Sequence, residues 1–188
     1  MFDSFDGIAA RTFNAQSEMG KELDSLADLV SFGIAPAYLY FLIAPFDHWS
    51  RFLPALAIVL GSALRLAKFN TIPPSKYFIG LPTPSTAFFL SGIFFAVYYE
   101  NSFISNLMGI TWFYSLIPLL LMGLMLSNLK MFSTKDMNLG LAKNKYQWLT
   151  FFSFIALLFI DIKSAIPVSV LIYISLCVIR NLRCKDNY

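Results

Sequence analysis

The sequence predicts an all-α fold, a polytopic membrane helix bundle of about six spans plus a partial N-terminal helix, and three observations carry that prediction. The 188 residues are 57% hydrophobic and 17% aromatic but only 13% charged, with a mean hydropathy of +0.65, whereas soluble chains are roughly one quarter charged. The apolar residues fall in runs of helix length, separated by short polar segments rich in turn formers. The basic residues gather in alternate connecting segments, as they do when every second loop faces the cytoplasm. A soluble globular domain is thereby excluded. The small net charge of +3 gives no reason to expect nucleic acid as a partner.

The elements follow in chain order. Residues 1–16 read as the end of a helix, because a span needs about 20 apolar residues and carboxylates already stand at positions 3 and 6. A preceding helix and the front half of this one are therefore expected to be missing, and no cleavable signal peptide is recognisable. The first full span is expected at Leu23–Phe46, with Asp24 and Asp28 in its opening turns, where a helix N-terminus favours negative charge. A second is expected at about Leu53–Phe69, ending in the basic stretch RLAKFN (65–70). After the proline-bearing NTIPPSKYFIGLPTP come spans at about Thr86–Tyr99 and Gly109–Leu129, then a loop over KMFSTKDMNLGLAKNKY. Two spans at about Trp148–Ile160 and Ala165–Ile179, joined by DIKS, form a hairpin, and the tail is polar and basic. No internal repeat marks a boundary, so residues 1–188 read as a single transmembrane unit. Cys177 and Cys184 have neither metal-ligand spacing nor a disulfide framework.

Alternating the loops between two sides sorts the basic residues. One side receives Arg11, Lys21, Arg65, Lys68, Lys76, Lys130, Lys135, Lys143, Lys145, Arg180, Arg183 and Lys185, and the other only Arg51 and Lys163. The first side is cytoplasmic by the positive-inside rule, and it carries all four acids of the N-terminal region. The opposite side holds the DHWSR turn with His48, a loop at ENSFIS and the DIKS turn.

Those acids are the chemical centre of the chain. Asp3 pairs with Asp6 and Asp24 with Asp28, at spacings of three and four that put each pair on one helix face. Charges at membrane depth are costly, so four together call for cations or a functional cavity. The region reads D-x2-D-G-x2-A-R-x8-G-x3-D-x3-D, built from Asp3, Asp6, Gly7, Ala10, Arg11, Gly20, Asp24 and Asp28. The small residues Gly7, Ala10 and Gly20 allow close approach, and Arg11 offers a planar fork for phosphate. Carboxylates in such a set suit divalent cations that share ligands with a pyrophosphate.

This pattern resembles, without departure, the signature of the CDP-alcohol phosphatidyltransferase family. DSLADLVSFGIAPA (24–37), RLAKFN (65–70), GLPTPST (80–86) and LMLSNLKMFSTK (124–135) are more loosely similar to the family's phosphatidylserine synthase branch, with Lys68 standing where arginine is expected. The resemblance implies transfer of a phosphatidyl group from CDP-diacylglycerol to the hydroxyl of L-serine, with CMP leaving, at the cytoplasmic side of the cell membrane. It implies two Mg²⁺ or Mn²⁺ ions on Asp3, Asp6, Asp24 and Asp28, with Asp28 as general base, and CDP contacts from Gly7, Ala10, Arg11 and Gly20. Arg65 and Lys68, with Ser31 and Asn70 as weaker candidates, would meet the serine carboxylate or the lipid phosphate; snorkelling at a helix end is the alternative for the two bases. A homodimer is a possible assembly. Two other readings compete. One keeps the chemistry and takes glycerol phosphate or inositol phosphate as acceptor, which calls for a more basic pocket. The other is a cation or proton transporter, which calls for acids spread through the membrane depth and inverted repeats.

Overall fold

The computed structural model describes residues 18–45, 51–71, 78–131 and 145–185. Helix α1, Glu18–Leu29, continues through a π-helical segment, Val30–Ile34, into α2, Ala35–Leu42. The break in pattern has a local cause at Pro36, which has no N–H and whose ring would strike the carbonyl four residues back in an α-helix. Widening the turn avoids the clash, and the N–H of Ala35 donates to the carbonyl of Val30, five residues back.

Helix α3, Phe52–Thr71, returns antiparallel to α1 and α2. Helix α4 is Thr83–Tyr98, α5 is Ser102–Met108 and α6 is Thr111–Leu126. The final hairpin is α7, Lys145–Ile160, packed on α8, Ala165–Lys185. Extended pairing among the described residues is confined to two two-residue strands, β1 (Phe78–Ile79) and β2 (Lys130–Met131), antiparallel with Phe78 opposite Met131.

Among the described residues, two helical stretches are long and apolar enough to cross a membrane, Glu22–Leu42 and Phe52–Thr71. A third arises if α4 and α5, bent by 110° at their junction, count as one, and Thr111–Leu126, Trp148–Ile160 and Ala165–Asn181 are shorter apolar helices. The bundle is all-α and membrane-embedded, with its outer surface greasy as lipid contact requires. Trp112 is 87% exposed and Phe159 88%, which would be a liability in water. Inside, α3 packs most extensively on α6, and α4 lies between α2 and α8. Tyr40, Ile58, Leu81, Leu90, Tyr114, Met125 and Cys177 form the buried core.

One expectation needs correcting. The ENSFIS segment is not a loop: Ser102–Met108 is helical, started by Asn101, whose side-chain oxygen accepts the N–H of Ile104 at 3.1 Å. Boundaries also move, since α4 begins at Thr83 rather than Thr86 and α8 runs to Lys185. The DHWSR turn with His48 lies outside the described residues, apart from Arg51, as does most of the loop after Met131.

Candidate active site

Asp24 and Asp28 lie one helical turn apart on α1, the first exposed and the second half-buried. The same spacing that made them a pair in the sequence puts both on one face. Gly20 is one turn earlier and exposed. Asp3, Asp6, Gly7, Ala10 and Arg11 lie outside the described residues. Among the described residues no group of three or more His, Cys, Asp or Glu side chains converges. Asp24 and Asp28 supply oxygen donors only, the chemistry that Mg²⁺ or Mn²⁺ prefers, and so fit as one half of a four-carboxylate set.

Helix α3 faces this pair in antiparallel register. Near its end, Asn70 Nδ2 donates to Ser25 Oγ at 2.9 Å. Deeper in the membrane, Ser62 meets Gly33, where an added Cβ would come within 3.0 Å of the Ser62 Cβ and 3.3 Å of its Oγ. Between these two contacts Arg65 is buried, at 6% exposure, with Tyr173 and then Asp28 as the acidic groups within electrostatic range. Arg65 Nη1 donates to Thr83 Oγ1 at 3.5 Å. Arg65 Nε and Ser62 Oγ, both buried, have no hydrogen-bond partner among the described residues. Each such orphan costs about 1–3 kcal/mol unless a ligand or water meets it.

Sequence-predicted candidates separate in the structure. Asn70 joins α1 beside Asp24 through Ser25, while Arg65 is within electrostatic range of Asp28 and hydrogen-bonds to Thr83. Lys68 turns the other way: its Nζ donates to the carbonyl of Leu126 at 3.1 Å and to Asn128 Oδ1 at 3.0 Å, capping the C-terminus of α6. Ser31, in the π-helical segment, lines an apolar cavity of about 290 Å³ whose wall includes Ala35, Leu39, Ala87, Phe88 and Ile166. Ser62 and Thr83 were not singled out from the sequence, although both fall beside stretches that were, three residues before Arg65 and inside GLPTPST.

The backbone around Thr83 is braced. Gly80, at φ 74°, sits in the left-handed region. Its N–H donates to the carbonyl of Leu129 at 2.8 Å, and the N–H of Leu81 donates to that of Leu124 at 3.0 Å. The loop into α4 is thereby tied to the end of α6, next to the Lys68 cap.

Residues 1–119 match the family described as CDP-alcohol phosphatidyltransferase. The chain is 43% identical over 112 residues to the CDP-diacylglycerol–serine O-phosphatidyltransferase of Methanocaldococcus jannaschii, covering 58% of this chain and 54% of that protein. It is 51% identical over 85 residues to the enzyme of the same name from Bacillus subtilis, covering 44% of this chain and 48% of the relative. The archaetidylserine synthase of Methanothermobacter thermautotrophicus is 38% identical over 104 residues, with 54% and 45% covered. The chain thus spans about half the length of these curated relatives.

Proposed function

The chain belongs to the CDP-alcohol phosphatidyltransferase family, and from that premise we propose that it transfers the phosphatidyl group of CDP-diacylglycerol to the hydroxyl of L-serine, yielding phosphatidylserine and CMP. The relatives named above share serine in their names or products, which supports serine over a sugar or polyol phosphate. The observation that carries the reading is the Asp24–Asp28 pair on one face of α1, at the level where Asn70 of α3 donates to Ser25. Acids gathered at one end of a span also favour this chemistry over an ion path through the membrane.

In the proposed reaction the serine oxygen forms a bond to the β-phosphorus, next to the diacylglycerol, the bond from that phosphorus to the CMP oxygen breaks, and CMP carries away the electron pair. Asp28 takes the hydroxyl proton. Asp24 and Asp28, with Asp3 and Asp6, would hold two Mg²⁺ or Mn²⁺ ions, which when bound supply charge stabilisation to the phosphate oxygens. Gly7, Ala10, Arg11 and Gly20 would receive the CDP moiety. The apolar cavity beside Ser31 has the lining a hydrocarbon chain prefers. The catalytic residues would lie at the cytoplasmic face of the cell membrane, in one unit over residues 1–188, with a second copy as a possible partner.

The test is an assay of membranes carrying the chain with CDP-diacylglycerol and each of serine, glycerol phosphate and inositol phosphate, with and without a chelator. Serine-dependent CMP release that vanishes with chelator is expected. Release with a phosphate-bearing acceptor alone would replace serine in this reading, and no release with any of the three would end it.

A further inference from the structure

The apolar cavity beside Ser31 is graded by residue size along its length. Its volume is about 290 Å³, and it lies between α2 with the π-helical segment on one side and α4 on the other. Helix α4 starts at Thr83 beside Arg65, within the last two turns of α3, the end of α3 at which Asn70 meets Ser25. It therefore runs away from the Asp24–Asp28 end in the same sense as α2. Ser31, Ala35 and Leu39 line the cavity from one side, and Ala87, Ser91 and Phe95 from the other, each set at steps of four residues. On both walls the two positions nearer the carboxylates are small and the third is large.

Helix α8 supplies a further wall through Ile166. Gly92 of α4 admits it, since an added Cβ would come within 2.8 Å of both Ile166 Cγ2 and Pro167 Cδ. Only a residue without a side chain lets the two helices meet so closely. Ile166 lies beyond residues 1–119, the part that matches the family, so this wall comes from outside the matched segment. Ser31, Ala35, Phe88 and Phe95 are exposed. Within a membrane span that exposure is to lipid, and the cavity is a groove open sideways to the bilayer.

The depth of the groove matches one leaflet. From Asp28 to Leu39 the span advances by eleven residues, about 16 Å at 1.5 Å per residue, and half of a ~30 Å hydrocarbon core is about 15 Å. A lipid with its phosphate at the level of Asp28 would lay a chain past Ser31 and meet Leu39 and Phe95 near the bilayer centre.

Resting on the transferase reading above, we propose that one acyl chain of the CDP-activated donor lies in this groove, and that Leu39 and Phe95 at its deep end, with Ile166 at its side, select chain length. A chain leaving lipid for an apolar groove gains little from the hydrophobic effect, because lipid tails are equally apolar. Selection therefore rests on fit. A chain that stops short of the floor leaves a void, which forfeits packing contacts, and one that overruns it must bend out sideways.

The test uses the full chain in phosphatidylcholine nanodiscs with a trace of CDP-diacylglycerol bearing a photoreactive diazirine near the end of one acyl chain. Irradiation followed by peptide mass spectrometry is expected to find the label on the segments holding Leu39, Phe95 and Ile166, and unlabelled CDP-diacylglycerol should compete it away. Chain-length preference is read from competition by dioctanoyl, dipalmitoyl and distearoyl forms, and from kcat/KM for the same three. Ser91→Leu, which fills the groove halfway down, should lower the dipalmitoyl-to-dioctanoyl ratio by about fivefold or more. Phe95→Ala, which opens the floor, should raise distearoyl relative to dipalmitoyl. Label absent from these segments, or equal labelling by a diazirine phosphatidylcholine that CDP-diacylglycerol does not displace, would overturn the proposal in favour of bulk lipid. This measurement needs no variant to fold. A chain-length preference unchanged in both Ser91→Leu and Phe95→Ala would overturn the selecting role. Labelling competed by CDP-diacylglycerol in a chain that releases no CMP with any acceptor would retain the groove and retire the transferase reading.

Discussion

The hydroxyl of Tyr40 donates to the main-chain carbonyl of Tyr114 at 2.7 Å, and that carbonyl is the one in α6 whose helical partner, position 118, is a proline. Pro118 has no N–H to give, so a side chain from α2 fills a missing rung of α6. The relationship is reciprocal: Tyr114 Oη donates to the carbonyl of Tyr40 at 3.0 Å, near the end of α2, and the two rings stack at 4.5 Å. Two phenols thus satisfy two backbone acceptors at the centre of the bundle.

Removing the Tyr40 hydroxyl should therefore take away the donor that reaches the Tyr114 carbonyl at 2.7 Å. Tyr40→Phe is expected to cost about 1–3 kcal/mol of stability, read as a lower thermal midpoint in detergent. The cost should be smaller in a Pro118→Ala background, where the helix can supply its own N–H. Equal costs in the two backgrounds would show that the tyrosine acts through packing alone.

Gly80 is the second strained point. A Cβ there would strike the Met125 carbonyl, and the φ of 74° is unfavourable for any L side chain. Gly80→Ala is expected to lose at least about 1–3 kcal/mol, with activity lost alongside, because the same loop delivers Thr83 to Arg65. A variant as stable as the parent would mean the loop has another route across the end of α6.

On the opposite face, Asp161 holds the turn between α7 and α8. Its carboxylate accepts from Ser164 Oγ at 2.6 Å, from Asn101 Nδ2 at 2.8 Å and from the N–H of Lys163 at 3.1 Å. The Ser164 hydrogen bond, more than any other influence, lowers the Asp161 pKa below the ordinary carboxylate value. A lowered folded-state pKa means that the stabilisation is complete above the ordinary value of about 4 and fades as pH falls through the lowered one. The α7–α8 hairpin should loosen in that acidic window. Asp161→Asn, which cannot ionise, should remove this component of the pH dependence, as measured by hydrogen exchange of the turn between pH 2 and pH 5.

The two ends of the bundle should also differ in access. With native cysteines replaced, a cysteine at the exposed Thr71 should react with membrane-impermeant maleimide only from the cytoplasmic side, and one at Phe103, 71% exposed, only from the other. The reverse pattern would invert the orientation drawn from the basic loops.

Much of this architecture was legible in the sequence because lipid imposes a simple code. Apolar runs of sufficient length become helices, as at Phe52–Thr71 and Ala165–Lys185. The Asp24–Asp28 spacing was legible for the same reason, since four residues bring two side chains to one face. Ser102–Met108 was missed because ENSFIS is polar enough to pass for a loop, although Asn101 is a strong helix-starting residue. The π-helical segment was beyond reach: it joins a local effect of Pro36 to the contact between Gly33 and Ser62, on a helix far along the chain. Ser62 escaped notice because a serine in an apolar helix ordinarily satisfies itself, and only its surroundings reveal that this one does not.

The i to i+5 bond from Ala35 to Val30 has a consequence for the chain as a length of thread. A π-helical turn holds one residue more than the α-helical turn it replaces, while leaving the helices on either side in phase. If the same residues wound as a plain α-helix, α2 would rotate by about 100° relative to α1. Either Ser25 would turn away from Asn70 or Tyr40 from Tyr114. The span therefore contains one surplus residue, absorbed at a fixed place. Shortening Val30–Ile34 by one residue would keep both appointments, while lengthening α1 or α2 by one would break one of them.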